Sequence, residues 1–148
     1  MLPARVTRQA FEEVQAVVPA SDEEALGRII LSLPENGCIA FLSGHSMAVP
    51  FDRSELDELR AFLREQSEPD AGFRDRVLER TRRSLLRACA SFIEAVDTYM
   101  ETELGGQVGI PGILIQDDPG RFDMSVYRLN RLARRCVRLY RVLRRKAD

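Results

Sequence analysis

The sequence predicts a mainly α fold: about five helices around a long central one at about 73–104, with one or two short β-hairpins at 38–51 and 107–116. Two observations carry this. Apolar residues recur at intervals of three and four over most of the chain, and the 9 glycines and 7 prolines fall largely between those periodic segments. A chain of 148 residues buries roughly 70% of its unfolded surface and reads as one domain, 1–148, with 67–72 as the place for any sub-domain boundary. With 45% hydrophobic and 30% charged residues it is neither disordered nor collagen-like.

Taken in order, Pro3 suits a first helical turn, and Phe11, Val14 and Val17 recur at helical spacing before Pro19, so a helix is expected over 4–18. Ser21 with Glu24 is a capping-box pattern opening a helix from Asp22 to Ser32, with Leu26, Ile29, Ile30 and Leu33 inward and Pro34 as its stop. The apolar runs Cys38 to Leu42 and Met47 to Phe51 flank polar Ser43 to Ser46 and read as a hairpin. Asp52 or Ser54 caps a helix with Leu56, Leu59, Phe62 and Leu63 on one stripe. After the loop-like Ser67 to Gly72 comes the longest pattern, Phe73 to about Leu104, with Gly105-Gly106 as its terminator. Its apolar face runs from Val77 and Leu78 to Tyr99 and Met100. Pro111-Gly112 suits a type II turn inside the second hairpin, and Asp117 to Gly120 turns the chain into a final helix from Phe122 to about Lys146.

No window approaches the ~18 apolar residues of a membrane span, and the first residues lack the apolar core of a signal peptide, so a cytoplasmic protein without a membrane span is expected. Cys38, Cys89 and Cys136 are odd in number, far apart and set among apolar neighbours, which reads as three buried thiols. Of the 22 basic residues only Lys146 is lysine, a bias that a high-G+C bacterial genome explains, so arginine abundance alone is no sign of phosphate chemistry.

Several motifs resemble active sites and fall short of them. Gly44-His45-Ser46-Met47-Ala48 resembles the nucleophile elbow of α/β-hydrolases, but Val49-Pro50 blocks the helix that must follow, and His45 is the only histidine. A Cys38 nucleophile with His45 as its base lacks a third, orienting residue. Asp117, Asp118 and Asp123 lack EF-hand spacing and read as turn and cap residues. Gly105, Gly106, Gly109 and Gly112 follow a helix and carry no Gly-Lys-Ser/Thr, so they are no phosphate loop. No catalytic, metal or cofactor set emerges, and no cofactor is expected.

The charge pattern is more informative. The net charge of −1 hides 12 Arg against 21 acids in residues 1–120, a net of −9, and 9 Arg plus Lys146 against two Asp in 121–148, a net of +8. In the final helix Phe122, Ser125, Leu129, Leu132, Cys136, Leu139 and Leu143 form a heptad seam, while Arg128, Arg131, Arg134, Arg135, Arg138, Arg141, Arg144 and Arg145 fill the rest of the circumference. Those arginines either pair with acids of the first 120 residues or face a polyanion such as nucleic acid. Against nucleic acid stand the −9 of the first 120 residues and the absence of aromatics interleaved on the basic face, where Tyr140 lies on the seam side and Tyr127 alone lies off it.

Along the long helix, Arg76, Arg80, Arg83 and Arg87 precede Glu94, Asp97 and Glu101, the reverse of what the helix dipole favours. Such a stripe is self-complementary when two copies lie antiparallel, which points to a homodimer or a matching protein partner. The functional expectation is a non-catalytic helical interaction protein, a subunit or regulatory adaptor assembling through charge-patterned helices. The alternative is a nucleic-acid-binding small subunit of a larger ribonucleoprotein complex that uses the last helix.

Overall fold

Ser21 opens the part of the chain that the computed structural model describes, residues 21–147. Its Oγ accepts the Glu24 N–H at 3.1 Å and starts helix α1 (Asp22–Ser32), as the capping pattern predicts. Ala25, Ile29 and Leu33 are its buried residues, and extended backbone at Pro34 ends it. A π-helical turn (Glu35–Ile39) runs into α2 (Ala40–Gly44). Strand β1 (Phe51–Asp52) leads through a 3-10 turn (Arg53–Leu56) into α3 (Asp57–Gln66). The Asp52 carboxylate starts that turn by accepting the Ser54 N–H at 2.9 Å and its hydroxyl at 2.7 Å. Next come α4 (Arg76–Tyr99), β2 (Glu101–Thr102), β3 (Gln107–Gly109), α5 (Leu114–Asp117) and α6 (Pro119–Ala147). The fold is mainly α, with six helices among the described residues and a small antiparallel sheet. The helix expected at 4–18 lies outside those residues.

The spine is an antiparallel pair, α4 against α6, roughly 36 and 43 Å long at 1.5 Å per residue. Contacts at both ends set its register: Tyr99 meets Arg128, and Lys146 Nζ lies 3.4 Å from Thr81 Oγ1. Between them Leu85, Cys89 and Phe92 pack with Leu129, Cys136, Tyr140 and Leu143, all fully buried. Helix α3 covers α4, and α1 and α2 cover α6, adding Ile29, Leu33, Ile39, Leu42, Leu59 and Phe62 to the same core. Tyr140 donates its hydroxyl proton to the Leu33 carbonyl at 2.6 Å, which satisfies the C-terminal end of α1 inside the core. Burial pushes the Tyr140 phenol pKa up, partly offset by the Arg144 guanidinium beside it.

A buried ion pair ties the start of α4 to α3. Arg82 is 8% exposed and grips both Glu79 oxygens, at 2.7 and 3.0 Å, while its Nη1 reaches Gln66 Oε1 at 3.1 Å. Glu79 also accepts the Phe73 N–H at 2.9 Å and Arg83 Nε at 3.0 Å. Burial pushes the Glu79 carboxyl up, but the hydrogen bonds from Arg82, Phe73 and Arg83 outweigh it and bring the pKa down to about 2. Phe62 and Phe73, on either side of 67–72, share one core cluster. That loop is further held by Arg28 on Asp70 at 3.3 Å and by the Asp22 carboxylate, which accepts the N–H groups of Arg74 and Asp75 at 2.6 and 3.1 Å.

Both expected hairpins are corrected. Residues 38–51 are helical at their start: Cys38, Ile39 and Leu42 turn inward at helical spacing while Ala40 and Ser43 face solvent. An apolar run of five fits either period, and only the packing against α6 decides. In the second half only Phe51 and Asp52 form a strand; Met47 to Val49 are a turn, anchored by the Met47 N–H on Asn130 Oδ1 at 2.9 Å. The hairpin expected at 107–116 instead joins β2 to β3, and β3 sits between β1 and β2 with Phe51 opposite Val108 and Glu101 opposite Gly109. Residues 114–117 are the short helix α5.

The long helix accordingly stops at Tyr99, because Met100 turns extended (φ −110°, ψ 154°) to enter the sheet. Gly105 and Gly106, at φ 90° and 84°, make the tight turn of that hairpin rather than ending the helix. Gly109 lets β3 pass under Pro50, whose Cγ would lie 3.0 Å from a Cβ there. Val77, assigned to the apolar face, is 53% exposed.

Two stability effects follow. Tyr140→Phe removes the donor to Leu33 and is expected to lower the unfolding free energy by about 1–2 kcal/mol in urea titrations. The Glu79 pKa is depressed on folding, so its contribution is full above the ordinary value of 4.5 and is lost as pH falls toward about 2. Glu79→Gln is expected to cost about 2 kcal/mol at pH 7, a gap from wild type that shrinks between those pH values when urea midpoints are compared.

Candidate functional site

The residues that tempt toward catalysis are dispersed. His45 Nε2 donates to the Val49 carbonyl at 2.7 Å, and its ring stacks on Phe41 at 4.8 Å and meets the Phe51 edge at 5.4 Å. Among the described residues no hydrogen bond joins His45 to Ser46 or Cys38, and Ser46 Oγ accepts the Ala48 N–H at 3.3 Å in a turn. Cys38, Cys89 and Cys136 are free and buried. Burial, with the nearby Glu58 carboxylate, pushes the Cys38 thiol up to about 12. A hydrogen bond to Cys136 across the α4–α6 seam, with burial, raises Cys89 as well. Thiols so raised supply no thiolate nucleophile. Asp118 Oδ1 accepts the Arg121 N–H at 3.2 Å at the start of α6, and among the described residues no three His, Cys, Asp or Glu side chains converge as a metal site.

The arginines of α6 stand outward because its seam is committed inward. Arg128, Arg131, Arg134, Arg135, Arg138, Arg141 and Arg145 are exposed and Arg144 is half-buried. Glu35 takes two of them, Arg144 at 2.8 Å and Arg141 at 3.8 Å. Arg128 donates to the Tyr99 hydroxyl and lies over its ring at 5.7 Å. Arg131, Arg134, Arg135, Arg138 and Arg145 make no ion pair with a described residue.

On α4, Arg76, Arg80, Arg83 and Arg87 are exposed. Arg83 pairs with Glu79 at 3.0 Å, and Arg87 donates to Ser84 Oγ at 3.3 Å. The basic first half of this helix is offset at its N-terminus by Asp75, whose carboxylate accepts the Val77 and Leu78 N–H groups at 2.9 Å. Of the three acids of the stripe, Glu94 is exposed on the helix, Asp97 pairs with Arg60 of α3 at 2.8 Å, and Glu101 belongs to β2. These acids therefore form no ion pair with the α6 arginines.

Antiparallel packing places the basic half of α4 beside the basic end of α6. It also opens a groove of about 470 Å³ on the outer side of the pair. Ser91, Glu94, Thr98 and Tyr99 form one wall, Arg128, Arg131 and Arg135 the other, and Ala95 and Leu132 the floor. Helical spacing continues the first wall to Arg87 and the second to Arg138. The sequence singled out the arginine wall and, of the other, Glu94 alone. Ser91, Thr98 and Tyr99 belong to another element, and Tyr99 reads there as a core residue. Comparison with protein-family models, with curated proteins and with solved structures yields no match.

A thiol titration checks the inertness of the cysteines. Native protein at pH 8 is expected to react negligibly with a disulfide reagent over minutes, and all three thiols to react once guanidinium unfolds the chain. Rapid labelling of the native protein would contradict the burial.

Proposed function

We propose that this chain is a non-catalytic helical interaction protein, a subunit or adaptor that docks an anionic partner on the outer face of the α4–α6 pair. The observation that carries the reading is the set of five outward guanidiniums on α6, Arg131, Arg134, Arg135, Arg138 and Arg145, without an acid partner among the described residues. The arginines of α4 reinforce the same end of the pair. A partner of opposite charge is steered to such a face even though the molecule as a whole carries −1.

Self-pairing of α4 fits less well. Asp97 is occupied by Arg60 and Glu101 stands off the helix, so two copies laid antiparallel offer four arginines to Glu94 alone. The face is complementary to acid rather than to itself. The location of the protein in the cell enters this reading only as an expectation, the cytoplasm; among the described residues no single helix is long and apolar enough to cross a membrane.

Heparin serves as a generic polyanion for the test. At about 50 mM salt and neutral pH the protein is expected to be retained, despite a pI near 5.9, and to elute well below 1 M. The triple change Arg131→Glu, Arg135→Glu, Arg138→Glu is expected to flow through while melting within a few degrees of wild type. Wild type that passes through unretained would sink the reading.

A further inference from the structure

Taking the outer α4–α6 face as an anion-binding surface, and resting on that reading, we propose that its ligand is a single strand of nucleic acid. The phosphates run along Arg128, Arg131, Arg135 and Arg138, and a base stacks on Tyr127. The four arginines step by three, four and three on one side of α6, a line of charge about 15 Å long at 1.5 Å per residue. A linear array suits a linear polyanion, and each guanidinium fork can take two oxygens of one phosphate. Ser91 and Thr98 add hydroxyl donors from the opposite wall.

The face also carries aromatic rings. Tyr127 is 57% exposed and lies one turn before Arg131, on the stripe that continues through Arg134 and Arg138. Tyr99 stands in the groove wall with Arg128 across its ring. Exposed tyrosine interleaved with arginine is what sequence-tolerant stacking of bases requires.

Two alternatives fit the face less well. An ordinary protein interface has a core depleted in charge, whereas Glu94, Arg128, Arg131 and Arg135 all line this groove around Ala95, Leu132 and the Tyr99 ring. A duplex read by an inserted helix needs one free helix in a major groove about 12 Å wide. Here α4 lies alongside α6, and two packed helices span roughly 20 Å.

The test is a fluorescence-anisotropy titration of the full chain with labelled 20-nucleotide RNA and DNA strands of mixed sequence and with the matching duplex, at about 50 and 200 mM salt. Binding of either strand at least tenfold tighter than the duplex is expected, falling about fiftyfold over that salt range for about four neutralised phosphates. Tyr127→Ala is expected to weaken it about tenfold with the salt slope unchanged, and Tyr127→Phe to restore it. Arg131→Gln with Arg135→Gln should lower both affinity and slope, and Glu94→Gln should raise affinity a few-fold by removing the one acid in the groove. Heparin retention with no strand binding would overturn the proposal in favour of an acidic protein partner while leaving the anion-binding face intact. Equal affinity for the duplex, or a Tyr127→Ala protein that binds as wild type, would also overturn it.

Discussion

The antiparallel packing of α4 on α6 is the constraint from which the rest of the molecule follows. Each helix buries one apolar stripe, and the fully buried Leu85, Cys89 and Phe92 on one and Leu129, Cys136, Tyr140 and Leu143 on the other leave no freedom of rotation. Once those stripes are committed, everything opposite them must face outward. The arginines of α6 are therefore exposed because of where leucine and tyrosine stand, and rotating the helix to hide them would drive guanidinium groups into a dry core. The same register carries Tyr140 to the Leu33 carbonyl and so locks α1 over the seam.

Arginine plays two opposite parts here, and burial decides which. Arg82 is 8% exposed, and each of its donors finds Glu79 or Gln66. An unpaired charge at that depth would cost several kcal/mol. Its neighbours Arg80, Arg83 and Arg87 are exposed, where an ion pair contributes about 0–1 kcal/mol. Stability thus depends on Arg82, which lies off the stripe, and is nearly indifferent to the exposed arginines beside it. A surface of this kind is free to be shaped by what it binds.

The electrostatic asymmetry has the same origin. Antiparallel helices set opposed dipoles side by side, which is favourable, and here they also bring the basic first half of α4 to the basic last turns of α6. Repulsion at that end is relieved by Asp75 and Glu79 on α4 and by Glu35 opposite Arg141 and Arg144. Arg131, Arg135 and Arg138, halfway along, receive no such relief from the described residues.

Local chemistry was legible in the sequence by itself. The Ser21–Glu24 cap, the stop at Pro34, the heptad seam of the last helix and the segregation of −9 from +8 all rest on residues close together in the chain, and each but the charge count reappears in the coordinates. Only tertiary structure decided the rest. Cys38 to Leu42 is helical because α6 takes its inward residues at helical spacing, and five apolar residues carry no period long enough to say so. Glu101 left the helix because β3 offered it a strand partner. The groove needed the register of two helices to set Tyr99 beside Arg128, and no property of either segment alone encodes the distance between them.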